Sequence, residues 1–387
     1  MISEYVIDRI LKPRYFLSGE PFRAYYETSD RQTEYLQEDW GMLCNRVAEV
    51  VTSKCGNYKN PVTRAKMKKA YRDMIQDLDF LPNSPTLFGA GVPGLTMSAC
   101  YVIEMTDSID GWADTFHTAM KVQCAGGGCG FPLHKLRPHG SQVRGKNAKA
   151  AGPIEWMHCW NTISQTLRQA VRNGANMGLL RVDHPDIEEF ITCKDDKKAL
   201  TNFNISVGIT DEFLQALTSG KQSFDLTWEG RVVKTINPQR LWEDIIDHAW
   251  RTGEPGLLFI DEMNRNNPFR GEIGDLYPNP CAEATLFENS ACNLGSINLR
   301  RFVNPVTKKF SFANFHNAVS LAYQFLDDLI DANTYPTKKI TQTVKRFRQI
   351  GLGLMGLADV FLALGYRYGG ANSCEITEQI MLAFNSA

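Results

Sequence analysis

The chain has 387 residues, 43% of them hydrophobic and 22% charged, with a formal net charge of −1 and a pI near 6.7. It is long enough to bury a sizeable core in one large or two smaller domains, and its near-neutral balance gives no electrostatic reason to expect nucleic-acid or membrane partners. The N-terminus lacks the charged-apolar-small pattern of a signal peptide, no apolar run is long enough to span a bilayer, and ten scattered cysteines without a dense framework read as reduced cytosolic thiols.

In chain order, residues 34–51 and 64–79 carry charged and aromatic residues at helical periodicity, which predicts a helical N-terminal region over 1–80. From Leu81 to 387, apolar strand-like runs alternate with amphipathic helices. Asp107 begins a helix that leads to the glycine run 126–128. Residues 202–209 read as a strand capped into a helix at Asp211. Residues 238–250 form an amphipathic helix ended near Gly253, and 256–260 a further strand. Such alternation predicts an α/β fold with a parallel sheet or barrel.

The segment Asn279-Pro-Cys281-Ala-Glu283 sets an amide, a thiol and a carboxylate on alternate positions. In an extended chain these share a face and could converge on one substrate. A second thiol, Cys292, follows a turn-like Glu-Asn-Ser and opens an apolar strand. A thiol beside a carboxylate is poorly placed as an anionic nucleophile, because the negative charge disfavours thiolate. That points to hydrogen-atom chemistry at sulfur with Glu283 as base. The same residues also fit a buried structural cysteine beside two loop polars.

Two motifs need weighing. Cys124, Cys129, His134 and His139, at spacings of five, have the composition of a zinc site, but the intervening Gly-Gly-Gly and Phe-Pro-Leu suit a tight backbone approach better. Gly351-Leu-Gly-Leu-Met-Gly356 matches a dinucleotide fingerprint literally, yet it follows a helix or turn and not a strand, so close helix packing is its expected role.

The run from Phe80 through Asn83-Ser-Pro-Thr to Met97-Ser-Ala-Cys100 resembles the first barrel strand of the ribonucleotide reductase large chain. With Asn279-Pro-Cys-Ala-Glu, the triple glycine and Gly174-Ala-Asn-Met-Gly, the resemblance runs from about residue 80 to the end. The Asn-Pro-Cys-x-Glu wording and the close spacing of Cys281 to Cys292 look most like the adenosylcobalamin-dependent class II enzymes. Class I chains usually space these cysteines more widely, and the glycyl-radical class lacks the glutamate.

The resemblance implies a ten-stranded α/β barrel of two antiparallel five-stranded parallel halves, present in part, with Cys281 at the tip of a finger loop near 275–285. Cys281 would be the transient thiyl radical that takes the ribose 3′-hydrogen, Glu283 the base for the 3′-hydroxyl, and Asn279 the holder of the sugar hydroxyls. Cys100 would donate toward the departing 2′-hydroxyl and leave as a disulfide with Cys292, re-reduced by an external dithiol such as thioredoxin. Ser84, Ala99 and Gly128 would line the ribose and phosphate site, although each also reads as a strand-end or turn residue chosen for fit. Asp107, Arg137 and Arg144 would bind a dNTP, dATP or ATP effector at a homodimer interface, the arginines by charge-assisted bonds. As a plain alternative, both arginines are solvated surface charges. The loop 167–177 resembles the one that relays effector identity to substrate choice.

Nothing resembles the ATP cone of overall activity control. The resemblance implies reduction of ribonucleoside di- or triphosphates for DNA synthesis. The last residues read as an uncapped amphipathic helix, and the Pro-Thr-Gly-Thr phosphate loop is missing, so a C-terminal portion is expected as a separate chain or splice partner. The alternatives are a class I large subunit served by a metal-radical small subunit, a non-catalytic nucleotide sensor, and a zinc-binding module.

Overall fold

The computed structural model describes residues 2–18, 21, 25–26, 37–143, 147–167, 174–196 and 198–387. Its strands, in chain order, are β1 (Phe80–Pro82), β2 (Cys100–Val102), β3 (Gly128–Pro132), β4 (Asn176–Arg181), β5 (Phe203–Ile209), β6 (Phe224–Trp228), β7 (Arg231–Ile236), β8 (Gly256–Phe259), β9 (Tyr277–Pro278), β10 (Thr285–Leu286), β11 (Ser290–Asn298) and β12 (Ile350–Met355). The chain divides into two compact units, one of Met1–Ala99, Cys292–Tyr335 and Val344–Ala387, the other of Cys100–Ala291 and Pro336–Thr343.

The first unit is built on helices. Helix Trp40–Lys54 starts where the Asp39 carboxylate accepts from the Met42 amide, and it buries Leu43, Val47, Val50 and Val51, one apolar stripe. Helix Pro61–Gln76 is capped by Asn60 and opened by a proline whose missing N–H costs nothing there. Both pack with helix Phe312–Ala332 in a core that includes Tyr71, Ile75, Phe80, Phe325 and Ile380. Tyr71 and Phe80 meet Phe325 edge-on, at ring distances of 5.2 and 5.5 Å. Each such burial stabilises by about 1.5–3 kcal/mol. In this unit β1 pairs antiparallel with β11, and β11 pairs parallel with β12.

The second unit carries five parallel strands in the order β2-β3-β4-β5-β8. Helices Ile109–Cys124, Gly152–Thr166, Ile187–Thr192 and Pro238–Thr252 lie in the crossovers that parallel pairing demands. The strand β3 is buried throughout, as expected of a parallel sheet covered on both faces. Phe131 on β3 packs on Trp156 and Trp160, and Phe116 stacks on the same two indoles. The expected helical N-terminal region, parallel α/β class and five-stranded half are therefore present.

Four local expectations change. The run 80–100 is not one strand: Asn83 caps a helix at Ser84–Gly89, Pro85 suits its first turn, and Cys100 opens β2. The helix expected to be capped at Asp211 is capped by Thr210, whose hydroxyl accepts from the Phe213 amide. Helix Pro238–Thr252 ends on left-handed Gly253 as read, whereas residues 64–79 are helical only to Gln76. The glycine-rich 351–355 segment is itself strand β12; a Cβ on Gly351 would stand 2.4 Å from Leu294 Cδ2, so its glycine serves close packing on a strand and not on a helix.

Candidate active site

The short strands β9 and β10 pair antiparallel, Thr285 opposite Pro278 and Leu286 opposite Tyr277, and close a hairpin whose tip is residues 279–284. The tip is a turn. Asn279 N–H donates to the Ala284 carbonyl at 3.1 Å, Ala282 N–H donates back to the Asn279 carbonyl at 3.1 Å, and Ala282 sits at φ 64°. The expected alternation of Asn279, Cys281 and Glu283 along an extended chain is thus replaced by a tight loop. Asn279 is fully buried, and its Oδ1 accepts from the Ala284 amide at 3.1 Å. Asn204 on β5 donates to the Pro280 carbonyl at 2.9 Å and fastens the loop from outside.

Two glycines on β3 let this hairpin lie close. A Cβ at Gly130 would fall 2.1 Å from the Pro278 carbonyl oxygen, and one at Gly128 would fall 2.9 Å from Pro280 Cγ. The glycine at 128 is therefore required by the loop that carries Cys281.

What the turn brings together is Asn279, Glu283 and Cys100. Cys100 is buried at the start of β2, paired in register with Gly128. Asn279 Nδ2 donates to Cys100 Sγ at 3.0 Å, and the Cys100 thiol donates to Glu283 Oε1 at 3.8 Å. One sulfur thus takes an amide proton and offers its own to a carboxylate. Cys281, at the tip, is exposed to solvent. Asn204 and Gly130 were not singled out in the sequence; nothing in Asn202-Phe-Asn-Ile distinguishes an amide that clamps a loop 76 positions away.

Three other expected residues, Ser84, Ala99 and Cys292, lie in the first unit. Ser84 opens its helix with Oγ 3.0 Å from the Tyr15 hydroxyl, Ala99 is buried, and Cys292 is buried on β11.

For the expected effector residues, Arg137 Nε donates to Asp107 Oδ2 at 2.7 Å and Arg137 Nη2 to the Asp107 carbonyl at 3.3 Å. Both line a cavity of about 420 Å³ with Ser108, Trp112, Val143 and Gly152. Arg144 and residues 168–173 of the loop 167–177 lie outside the described residues. The cysteine–histidine motif does not converge: Cys129 is buried on β3, Cys124 is exposed, and the His139 ring pairs with the Ala151 carbonyl at 3.0 Å. Among the described residues no three His, Cys, Asp or Glu side chains gather as metal ligands, and no helix is long and apolar enough to cross a membrane.

Residues 98–387 match the family described as ribonucleotide reductase, barrel domain, and residues 14–94 match ribonucleotide reductase, all-alpha domain. The chain is similar to the vitamin B12-dependent ribonucleoside-diphosphate reductase of Thermoplasma acidophilum, at 41% identity over 81% of this chain and 41% of that protein. To the protein of the same name from Mycobacterium tuberculosis it is 32% identical, over 98% of this chain and 53% of the relative. The ribonucleoside-diphosphate reductase large subunit of Caenorhabditis elegans is 30% identical over 77% of this chain and 42% of its own length. The chain spans about half the length of the curated relatives it matches.

Proposed function

Because this chain belongs to the ribonucleotide reductase large-chain family, we propose that it carries the reactive cysteines of a vitamin B12-dependent, thiyl-radical reductase of ribonucleoside di- or triphosphates. The observation that carries this reading is the Cys100 thiol held between Asn279 and Glu283, on the hairpin whose tip bears Cys281.

In this reading a radical at Cys281 Sγ takes the 3′-hydrogen of the ribose, and Glu283 accepts the 3′-hydroxyl proton. Asn279, immobilised by the turn, positions the sugar. Cys100 protonates the departing 2′-hydroxyl, which leaves as water. The Cys100–Cys292 pair gives C2′ two electrons and the second hydrogen, so that C2′–H replaces the lost C2′–O bond as the pair becomes a disulfide, and Glu283 returns its proton to the 3′-oxygen. Cys281 then returns its hydrogen to C3′. An external dithiol of the thioredoxin kind restores the pair. Ser84, Ala99 and Gly128 line the ribose and phosphate site. Asp107, Arg137 and Arg144 hold a nucleotide effector, with Arg137 already pinned by Asp107 on the wall of an open cavity.

Vitamin B12, on which the relatives' names say they depend, would supply, in its adenosylcobalamin form, the one-electron chemistry that generates the radical. This chain's contribution is the open approach to the exposed Cys281 on a loop fixed by Asn204 and Asn279. The relatives are about twice as long as the matched region, and we propose that turnover needs the portion of those relatives that the matched region does not span, in a homodimer.

The test is to combine the chain with that portion, adenosylcobalamin, a dithiol reductant, a ribonucleotide and a deoxynucleotide effector, and to measure deoxyribonucleotide formed. Product that requires the cofactor supports the reading. Product formed only with a metal-radical small subunit would move the chain to class I, and no product under either condition would refute reductase activity.

A further inference from the structure

Two helices of the second unit start at one cavity and converge on one amide. Ile109–Cys124 and Gly152–Thr166 both open on the cavity that Arg137 lines, through Ile109 and Trp112 of the first and Gly152 of the second. Midway, Phe116 stacks on Trp156 and Trp160, which locks the two helices together. About 20 Å from the cavity, their far halves meet at Asn176, the first residue of β4. Gln123 Nε2 and Trp160 Nε1 each donate to Asn176 Oδ1 at 2.8 Å, and Ser164 Oγ donates to Gln123 Oε1 at 3.0 Å. Asn176 Nδ2 donates to the Asn202 carbonyl at 3.0 Å. Gln123, Trp160 and Asn176 are fully buried.

Buried amides cost free energy unless each is partnered, so simple packing here would be met more cheaply by apolar side chains. What the amides add is one fixed arrangement. An indole N–H can only donate, so Trp160 turns the Asn176 oxygen inward; Gln123 must then present its nitrogen to that oxygen and its own oxygen to Ser164. The other side of Asn176 leads to the thiols. A Cβ at Gly174 would fall 2.5 Å from Gln123 Cδ, so the chain entering β4 lies flush on that side chain. The Ala175 carbonyl accepts from the Cys129 amide at 3.0 Å and would stand 3.1 Å from a Cβ at Gly128, whose other contact is Pro280 of the hairpin. A shift of either helix end is therefore felt at Asn176, then at Gly128, then at the tip that carries Cys281 and covers Cys100.

We propose that Gln123 and Asn176 are positioning residues that couple occupancy of the Arg137 cavity to closure of the 279–284 hairpin tip over Cys100. The inference rests on the nucleotide-effector reading of that cavity. A nucleotide that braces the start of both helices stabilises the closed tip, and the coupling has a size that can be measured as a ratio of opening rates with and without ligand.

The alkylation rate of buried Cys100 in the reduced chain is followed by peptide mapping, without nucleotide and with dATP, dGTP or dTTP in turn, against exposed Cys374 as internal standard. Equilibrium binding of the same nucleotides is measured alongside. In the wild type a bound nucleotide should slow Cys100 alkylation about fivefold or more. Gln123→Met keeps the length of the side chain and leaves Trp160 on the Asn176 oxygen; it should bind nucleotide as the wild type does and lose most of the slowing. Ser164→Ala removes only the hydroxyl that orients Gln123, should weaken the slowing, and decides the matter if Gln123→Met does not fold. A network that merely packs would change the rates with and without nucleotide together and leave their ratio alone. If nucleotide binds the wild type without slowing Cys100, or slows it equally in a folded variant, the coupling is refuted while the effector reading stands. If no nucleotide binds the wild type, the effector reading is wrong and the coupling falls with it.

Discussion

Asn279 Nδ2 stands 3.0 Å from Cys100 Sγ although 179 positions separate the two residues. The same side chain accepts from the Ala284 amide, so one carboxamide closes the hairpin tip and reaches the sulfur of β2. Replacing it with alanine removes both bonds and leaves the part-buried Ala284 amide N–H without its acceptor, a cost of about 1 kcal/mol. Asn279→Ala should therefore loosen the loop, raise the alkylation rate of buried Cys100 about tenfold and lower deoxynucleotide formation by about 10²-fold. Alkylation kinetics followed by peptide mapping check the first expectation without any cofactor. An unchanged Cys100 rate would show that Asn279 does not cover the sulfur.

The two thiols with proposed radical and reducing roles should separate in isotope experiments. Cys281→Ser should abolish both turnover and exchange of the substrate 3′-hydrogen, because serine's O–H is too strong for reversible abstraction. Cys292→Ser should keep radical formation and lose multiple turnover, since it serves only the later reducing step. The assay is tritium release from 3′-labelled ribonucleotide in the reductase completed by the portion of its relatives that the matched region does not span. Sustained deoxynucleotide formation by either variant would sink the assignment.

Arg137 is held by Asp107 at the wall of the cavity and is about one-quarter exposed, which fits a poised phosphate ligand better than a freely solvated charge. Arg137→Ala should weaken deoxynucleotide binding by about 10- to 150-fold, the factor that about 1.5–3 kcal/mol of charge-assisted bonding represents. Equilibrium binding of labelled deoxynucleotide measures it directly. Equal affinities in wild type and variant would make the Asp107–Arg137 pair a structural ion pair only.

Much of the fold was legible because its signals are local. The stripe of Leu43, Val47, Val50 and Val51, and Gly253 after a long amphipathic helix, announce themselves in any window of a dozen residues. The error at 351–355 had a non-local cause: that segment is a strand because β11 is there to pair with it, and its preceding helix misdirected the reading. At the site, residue types pointed to Asn279, Cys281 and Glu283, but the alternation rule failed since a hairpin tip needs a turn. That Asn279 and Glu283 meet at Cys100 depends on Gly128 and Gly130 admitting the loop onto β3, which no spacing within 279–283 encodes.

His134 gives a stability prediction independent of any chemistry at the thiols. His134 is half-buried with its Nδ1 shut off from solvent and without a hydrogen-bond partner, and this desolvation, reinforced by the positive Arg181, pushes its pKa down to about 3. In the unfolded chain the ring titrates near 6.5. Above that value neither state is protonated and the ring contributes no pH dependence. As pH falls from 6.5 toward 3, the unfolded state binds a proton that the folded state refuses, so stability drops by about 1.4 kcal/mol per pH unit from this group alone. Carboxylates titrate in the same range, so the comparison must be with His134→Gln, which retains them all and loses only the ring. Urea unfolding at several pH values from about 7 to about 5 should show the wild type losing stability relative to the variant at about that slope below 6.5. A difference between the two that stays constant across this range would mean that His134 takes up its proton inside the folded protein.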